Sequence, residues 1–247
     1  MKLEEVLEIA IQVAYGLLCN GAEIYRVEET IIYICKAYEM KEIEAFAIPS
    51  SIVITISDGT HSVTTSKRVV KRINDLDKVE KMEGLSRKIC KEKPDYETCM
   101  KEIEAIYNGP KYSNFVTDIG YLSVCFSFTC FFGGSFLDGI LGAIVGISLI
   151  KIQDFMGSMK ANGFFMNVVC GFFAAFVANV LEAKTGLFHA DKVIIGTIML
   201  LVPGLAIANS MRDFISSDTM TGMSRLFEAL FIAVGIAIGV AAALAVV

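Results

Sequence analysis

The charged side chains are distributed very unevenly along this chain. Of its 49 Asp, Glu, Lys and Arg residues, 35 lie within positions 1–113 and 14 within positions 114–247. A soluble surface needs about a quarter to a third of its residues charged, and only the first region has enough charge for that. We therefore expect a small soluble domain at residues 1–113, followed by a membrane-embedded region at residues 114–247.

Composition narrows the function classes further. Hydrophobic residues make up 54% of the chain and its mean hydropathy is +0.58, which is too apolar for an ordinary soluble enzyme. The net charge is −5 and no concentrated basic stripe occurs, which disfavours nucleic-acid binding. The seven cysteines form no Cys-x-x-Cys pair and the two histidines, His61 and His189, stand alone in the sequence. We therefore expect neither a disulfide framework nor a metal site.

The first region has the pattern of a small α/β domain. Apolar residues recur at three- and four-residue spacing, which predicts helices, and β-branched runs flank the turn signal Ser57-Asp58-Gly59-Thr60, which predicts a β-hairpin. The sequence begins without the basic, short apolar pattern of a secretory signal, so this domain is expected in the cytoplasm. The predicted elements are helices at 3–18, 23–40, 75–93 and 96–107 and strands at 52–56 and 63–65.

Five apolar stretches follow Ser113. A helix needs around 20 residues to cross a hydrocarbon core of about 30 Å, so the second and fourth stretches would have to recruit their polar flanks. The prediction is an α-helical polytopic membrane protein with about five transmembrane helices, preceded by a small α/β cytoplasmic domain. The stretches are residues 115–132, 136–150, 164–181, 193–208 and 226–247.

Basic residues in the short loops predict the orientation, because Lys and Arg are retained on the cytoplasmic side. The predicted protein is a multi-pass component of the plasma or inner membrane, with a cytoplasmic N-terminus and an external C-terminus. In this arrangement the inner loops hold Lys151, Lys160, Arg212 and Arg225, and the outer loops hold Lys184 and Lys192.

Polar side chains inside the spans are the candidates for contacting a solute or a coupling ion. An ionised residue at the centre of a span costs about 2.5–3.5 kcal/mol on insertion scales, so such residues usually serve a pathway or a structural pair. For Glu228, a coupling carboxylate competes with an interfacial side chain that pairs with Arg225 one turn away. The candidates are Asp138, Glu228, Asn167, Asn179 and Arg212.

Two glycine-containing segments predict departures from regular helix. Gly133 and Gly134 precede Asp138, where they indicate either irregular backbone beside a solute cavity or a plain outer turn. Pro203 and Gly204 indicate either a discontinuous transport helix or a simple kink. The polar segment 209–218, which contains Arg212, could bind an anionic group, although a solvated cytoplasmic loop fits its composition better.

Small residues also recur at spacings that favour close helix packing. Gly142 and Gly146 form one Gly-x-x-x-Gly pair, and Gly235 and Gly239 form another. Such pairs let helix backbones approach closely in a membrane. They predict contacts between spans or between two copies of the chain, which would give a homo-oligomer.

Three blocks, in order, resemble the threonine/serine exporter family. They are residues 20–30 (NGAEIYRVEET), residues 131–135 (FFGGS), and the run from Val202-Pro203-Gly204 through 210–214 (SMRDF) to 222–225 (GMSR). The resemblance implies secondary export of small polar metabolites, either threonine and serine or dicarboxylates such as succinate. Full-length members carry a second set of membrane helices that this sequence lacks, so the resemblance also implies a second, smaller membrane subunit.

The first of these blocks suggests a docking or gating role. The residues proposed for it are Tyr25, Arg26 and Glu29, which would dock the soluble domain at the cytoplasmic mouth of the bundle beside Arg212 and Asp213. The alternative is a solvated helix face whose acidic residues favour the helix dipole.

Two function classes remain open from the sequence. The first is a subunit of a secondary transporter, with the lipid membrane, a small solute and a second subunit as its partners. The second is a non-transporting membrane adaptor whose cytoplasmic domain binds another protein. No Gly-x-x-x-x-Gly-Lys-Ser/Thr loop occurs, which excludes ATP-driven transport within the chain, and no histidine lies in a span to act as a catalytic base. We therefore expect no enzymatic activity and no cofactor.

Overall fold

A computed structural model describes residues 1–70, 72–110, 112–216 and 218–247, so Ser217 of the polar segment lies outside the described residues. The chain is mostly helical and divides into two compact units. The first comprises Met1–Pro110 and Asn209–Ser224, and the second comprises Lys111–Ala208 and Arg225–Val247. The segment Asn209–Ser224 follows the predicted boundary at residue 113 but groups with the N-terminal residues.

The first unit packs helices around one small antiparallel sheet of order β1-β2-β3. The predicted hairpin corresponds to β2 and β3, and β1 is an additional strand whose exposed Glu42 and Glu44 alternate with less exposed residues. Its elements are α1 (Leu3–Cys19), α2 (Ile24–Ala37), β1 (Glu42–Ile48), β2 (Ser51–Ser57), β3 (Ser62–Arg68), α3 (Leu76–Glu92) and α4 (Tyr96–Tyr107).

Helix α1 forms the centre of this unit. It is buried on most of its surface and contacts α2, α3, α4, β2 and β3. It ends where the sequence predicts, because Gly21 adopts a φ of +98° that a residue with a Cβ rarely tolerates. The Asn20 side chain donates a hydrogen bond of 2.6 Å to the Gly16 carbonyl and fixes the turn into α2.

The second unit is entirely helical in its described part. Three helices, α6, α7 and α10, are long and apolar enough to cross a membrane by length and composition. The fourth predicted span is divided, because α8 ends at Ile198 and the next helix begins at Gly204. The helices after residue 110 are α5 (Asn114–Phe131), α6 (Phe136–Ser158), α7 (Gly163–Thr185), α8 (Ala190–Ile198), α9 (Gly204–Ile215) and α10 (Thr219–Val246).

Large apolar side chains cover the outside of this unit. Phe165 and Phe231, for example, are 64% and 63% exposed. An apolar surface of this extent is unfavourable in contact with water and must be covered. Lipid is the covering that fits helices of this length and composition, while the five-span count stays a prediction.

The glycine pairs pack helices of the same chain against each other. A Cβ on Gly142 or Gly146 would strike Thr129 or Cys125 of α5, and one on Gly239 would strike the backbone of Val168 and Phe172 in α7. Such contacts bring backbones close enough for van der Waals packing, which drives helix association where lipid offers no hydrophobic effect.

Candidate functional site

A cavity of about 560 Å³ lies in the second unit, between the first turns of α7 and the α10 residues Glu228 to Ile232. Its volume is within the range of about 300–1,000 Å³ that small-molecule sites occupy. Phe164 and Phe231 contribute aromatic walls, and Asn167 and Glu228 contribute polar groups. The structure thus brings together two of the residues that the sequence singles out.

Asn167 is the most buried polar residue of this cavity, with only 8% of its surface exposed. Among the described residues its side-chain amide has no hydrogen-bond partner, although it lines the cavity wall. The amide atoms are not among the fully buried side-chain atoms that lack a partner. They therefore keep access to the cavity and can bind a polar group there.

The amino end of α7 forms the floor of the same cavity. Asn162 caps the helix, and its Oδ1 accepts a hydrogen bond of 2.8 Å from the Phe164 backbone N–H. The backbone N–H groups of Gly163 and Phe165 belong to the first turn and have no acceptor within the helix. The helix dipole gives this end a partial positive charge of about half an elementary charge.

Asp138 lies elsewhere in this unit and is fully buried. It forms a capping box with Ser135, whose backbone N–H donates to Asp138 Oδ2 at 2.7 Å. Gly133, with a φ of +89°, makes the tight turn from α5 into α6 that positions this cap. The glycines therefore connect two helices and do not interrupt one.

His189 is the partner of Asp138. Its backbone N–H donates to Asp138 Oδ1 at 2.8 Å, and its ring Nδ1 donates to Oδ2 at 2.9 Å. The Asp138 carboxylate raises the pKa of His189 above its ordinary value, because it favours the charged imidazolium. Although His189 stands alone in the sequence, in the structure it joins the start of α8 to the start of α6.

The remaining candidates of the second unit lie apart from the cavity. The Asn179 amide donates a hydrogen bond of 2.7 Å to the Ala175 carbonyl, which lies one turn earlier in α7. This amide is therefore already hydrogen-bonded within its own helix. Pro203 and Gly204 mark the gap between α8 and α9. Neither Asn179 nor these two residues line the α7–α10 cavity.

A chain of ion pairs lies in the first unit. Arg212 binds Glu23, the N-cap residue of α2. Glu23 also pairs with Arg26 at 2.9 Å, and Arg26 pairs with Glu83 at 2.8 Å. Glu23 was not among the predicted site residues, although it lies in the same family-like block as Tyr25 and Arg26.

A second cavity, of about 300 Å³, lies beside this chain. Tyr25, Glu28, Asp213 and Asp218 are among its lining residues. Glu28 accepts a 2.8 Å hydrogen bond from the Ala47 backbone N–H, and its burial, together with the Asp218 charge, raises its pKa. Glu29 is exposed and has no hydrogen bond or ion pair among the described residues.

Residues 209–215 of the polar segment are helical and partly buried, unlike the solvated loop that its composition favoured. Residues up to Ile215 belong to α9, and α10 starts at Thr219. Ser210 is fully buried, and its hydroxyl donates a hydrogen bond of 2.7 Å to the Gly222 carbonyl. The segment folds back on itself because these two helices pack at that contact.

We expect Glu23→Gln to loosen the polar segment within the first unit. Glu23 is 15% exposed and binds two arginines, so neutralising it should cost about 1 kcal/mol. This corresponds to about fivefold faster hydrogen–deuterium exchange of the α9 amides from Asn209 to Ile215. The matched control is Lys88→Gln, which breaks the more exposed pair with Glu102 and should leave those amides unchanged. Unchanged α9 exchange in Glu23→Gln would contradict the proposed tie.

Comparison with known proteins identifies what this chain is similar to. A family model described as threonine/serine exporter matches residues 8–247. A threonine/serine exporter of Corynebacterium glutamicum is 24% identical over 233 residues, which cover 91% of this chain and 48% of that protein. A protein of Mycobacterium tuberculosis (strain ATCC 25618 / H37Rv), named as a probable threonine/serine exporter, is 21% identical over 231 residues, or 92% of this chain and 44% of that protein.

The match therefore covers nearly all of this chain but only part of each relative. The chain spans about half the length of the curated relatives that it matches. No solved structure matches it significantly.

Proposed function

Because the chain belongs to the threonine/serine exporter family, we propose that it exports small polar metabolites across the cytoplasmic membrane and that the α7–α10 cavity is where it binds them. The solutes in question are amino acids of the threonine and serine type or dicarboxylates such as succinate. The observation that carries the proposal is the buried Asn167 amide, which lines the cavity together with the Glu228 carboxylate. An anchor for a cytoplasmic adaptor has no need of such a group inside its bundle.

The proposed orientation gives the cavity a function in export. With residues 1–113 in the cytoplasm and five spans, α7 and α10 both begin at the cytoplasmic face. The cavity lies at these two helix starts, so it would receive solute from the cytoplasm. The Asp138–His189 junction would then lie at the outer end, with the C-terminus outside.

The other predicted residues have supporting roles in this proposal. Arg212 and Arg26 bind the same carboxylate of the first unit, and Tyr25 and Asp213 line its second cavity. They would couple the cytoplasmic domain to movement of the bundle. The gap at Pro203 and Gly204 provides a point where helix direction can change. The proposal also includes a second, smaller membrane subunit.

Efflux of preloaded solute tests the proposal. Cells that lack their own exporters would express this chain, with or without a candidate membrane subunit, and be loaded with labelled threonine, serine or succinate. We expect export of at least one solute and a loss of about tenfold or more in Asn167→Ala, because the variant removes the buried amide from the cavity. Asn179→Ala is the matched control, since that amide bonds only within its helix.

The outcomes separate the two function classes. Efflux that requires the added subunit supports a two-component exporter, and efflux by this chain alone removes the second subunit from the proposal. No efflux of any of the three solutes at normal membrane abundance would contradict export of these metabolites and favour the adaptor.

A further inference from the structure

We propose that the first unit binds the anionic lipid surface of the membrane through a short exposed segment that follows β3. In the orientation proposed above, that lipid surface belongs to the cytoplasmic leaflet. Lipid binding at this segment goes beyond the export function and does not depend on which solute is exported. The side chains that form it, which we call the 68–76 surface, are those of Arg68, Val70, Arg72, Ile73 and Leu76.

Three large apolar side chains of this surface are exposed. Val70 is 84% exposed, the highest value for a large apolar side chain among the described residues, and Leu76 and Ile73 are 61% and 45% exposed. The neighbouring Val69 is buried, and its backbone N–H donates a hydrogen bond of 2.8 Å to the Ser50 carbonyl. The chain is thus anchored at Val69 while Val70 is exposed. Single exposed apolar residues are ordinary, but a group of them indicates an interaction surface.

Basic side chains accompany these apolar ones. Arg68 and Arg72 are both exposed. Residues 67–77 contain four basic and two acidic residues, so this stretch is positively charged within a chain whose net charge is −5. Guanidinium groups bind phosphate groups, and apolar side chains beside them enter the boundary between headgroups and acyl chains. The 68–76 surface therefore has the composition that binds anionic lipid.

The two acidic residues of this stretch have partners within α3. The Asp75 side chain caps the helix by accepting a hydrogen bond of 3.1 Å from the Lys78 backbone N–H. Asp77 forms an ion pair of 2.5 Å with Lys81. Each carboxylate is therefore engaged at the start of α3, and the positive charge of the two arginines remains available to an anionic partner.

Backbone hydrogen bonds tie this surface to the turn between α1 and α2. The Ile73 N–H donates a hydrogen bond of 2.9 Å to the Cys19 carbonyl, and the Asp75 N–H donates one of 3.0 Å to the Asn20 carbonyl. Glu23, which follows the same turn, binds Arg212 of α9. The next helix, α10, begins within this unit and is long and apolar enough to cross a membrane. One side of the surface thus adjoins the residues that hold the approach to a membrane helix.

The other side of the surface adjoins the end of α4. The Lys78 side chain, two residues after Leu76, donates a hydrogen bond of 3.0 Å from Nζ to the Tyr107 carbonyl. The first unit ends soon afterwards at Pro110, where the chain continues into the second unit. The exposed apolar and basic side chains therefore lie between two of the places where the first unit connects to the apolar helices. Lipid headgroups are the anionic partner to be expected there.

Two other occupants fit the 68–76 surface less well. A nucleic-acid backbone needs an extended basic stripe, and it offers no apolar phase to cover Val70 and Leu76. A second copy of the chain, packed through the same surface about a two-fold axis, would bring arginines against arginines. Anionic lipid satisfies the charged and the apolar side chains together.

Tryptophan fluorescence tests this lipid contact, because the chain contains no tryptophan of its own. Val70→Trp adds a single reporter to the purified full chain in nanodiscs of phosphatidylcholine, with or without about 30% anionic phosphatidylglycerol. All lipids carry brominated acyl chains, which quench tryptophan on contact. We expect a blue-shifted emission and at least about twofold quenching in the anionic nanodiscs, and weaker quenching in the neutral ones.

The matched control places the reporter at the opposite end of α3. Glu92 is exposed and is the last residue of this helix, about 24 Å from Leu76 along its axis. Glu92→Trp should be unquenched in both kinds of nanodisc. An exposed tryptophan at that position shows whether quenching comes from the 68–76 surface or from exposure alone.

Charge variants in the Val70→Trp background test the role of the arginines. Arg68→Gln combined with Arg72→Gln should lose most of the quenching in anionic nanodiscs, because each arginine near an anionic surface strengthens binding about fivefold. Arg68→Lys combined with Arg72→Lys keeps both charges and should retain the quenching. High salt should weaken it in the chain with both arginines, since salt screens exposed charges. Circular dichroism checks that every variant is folded.

Each contrary result would overturn the proposed lipid contact in a different way. Equal quenching in neutral and anionic nanodiscs, or quenching that persists in the folded double Gln variant, would show that anionic lipid is not selected. A blue shift without quenching by bromine would show that protein covers Val70. Unshifted and unquenched emission would show that this side chain stays in water. None of these outcomes affects the efflux measurement, so the export function is tested separately.

Discussion

Gly239→Ala is expected to separate α7 from α10 and to abolish export. A Cβ at this position would lie 2.7 Å from the Phe172 backbone nitrogen and 2.9 Å from the Val168 carbonyl carbon, and it would strike the Val168 oxygen. These atoms are backbone, which cannot rotate away as a flexible side chain would. Overpacking of this kind costs about 1–3 kcal/mol. The displaced helix would also carry Glu228 away from Asn167.

The measurement combines thermal unfolding of the purified protein with efflux from cells. The matched control is Gly120→Ala in α5, where an added Cβ meets nothing within 4 Å. That change should be neutral or stabilise by up to about 1 kcal/mol, because alanine favours helix over glycine. An unfolding midpoint for Gly239→Ala equal to that of Gly120→Ala would contradict the close α7–α10 contact.

Local patterns predicted most of the helices. α1 and α2 follow from apolar spacing and from the turn at Asn20-Gly21, and α3 and α4 follow from the same periodicity broken at Pro94. These signals lie within each segment and need no knowledge of its neighbours. β1 escaped prediction because glutamates on its exposed face mask the alternation of its inner face.

Tertiary context explains where prediction from the sequence failed. The polar segment resembles a loop in composition, yet it is helical because Ser210 and Asp213 find a buried environment. The break in the fourth apolar stretch was one of the two alternatives that Pro203 and Gly204 indicated, because Pro203 lacks the N–H that a continuous helix would need there. Its division into α8 and α9 therefore depends on backbone chemistry and not on hydropathy.

The sequence predicted members of the candidate site but not its assembly. Asn167 and Glu228 stand out individually, because each is polar within an apolar stretch. Their meeting at one cavity depends on the packing of α7 against α10, which hydropathy cannot indicate. Glu23 lies within the family-like block and His189 lies just outside an apolar stretch, and both were missed because their significance comes from partners far along the chain.

Asp138→Asn is expected to destabilise the second unit and to reduce export. Oδ2 of Asp138 accepts hydrogen bonds from the Ser135 backbone and from the His189 ring, and Oδ1 accepts one from the His189 backbone. An amide in place of this carboxylate brings an NH₂ donor against at least one of these N–H donors. Charged hydrogen bonds of this kind contribute about 1.5–3 kcal/mol each, so the unfolding midpoint should fall by several degrees. Asp154→Asn, on the exposed side of the same helix, is the matched control.

The pH dependence of stability isolates the contribution of the His189 ring. The pKa of His189 is raised above its ordinary value of 6.5 by the Asp138 carboxylate. Its protonated form therefore stabilises the folded state fully below pH 6.5, and this contribution is lost as the pH rises through the raised pKa. The nearby charges of Glu182 and Asp191 act in the same direction. His189→Gln keeps the backbone hydrogen bond to Asp138, so its unfolding midpoint should lie below that of the unmodified chain at pH 5.5 and approach it at pH 9. A difference that stays constant across this range would show that the ring contributes no charge-dependent stability.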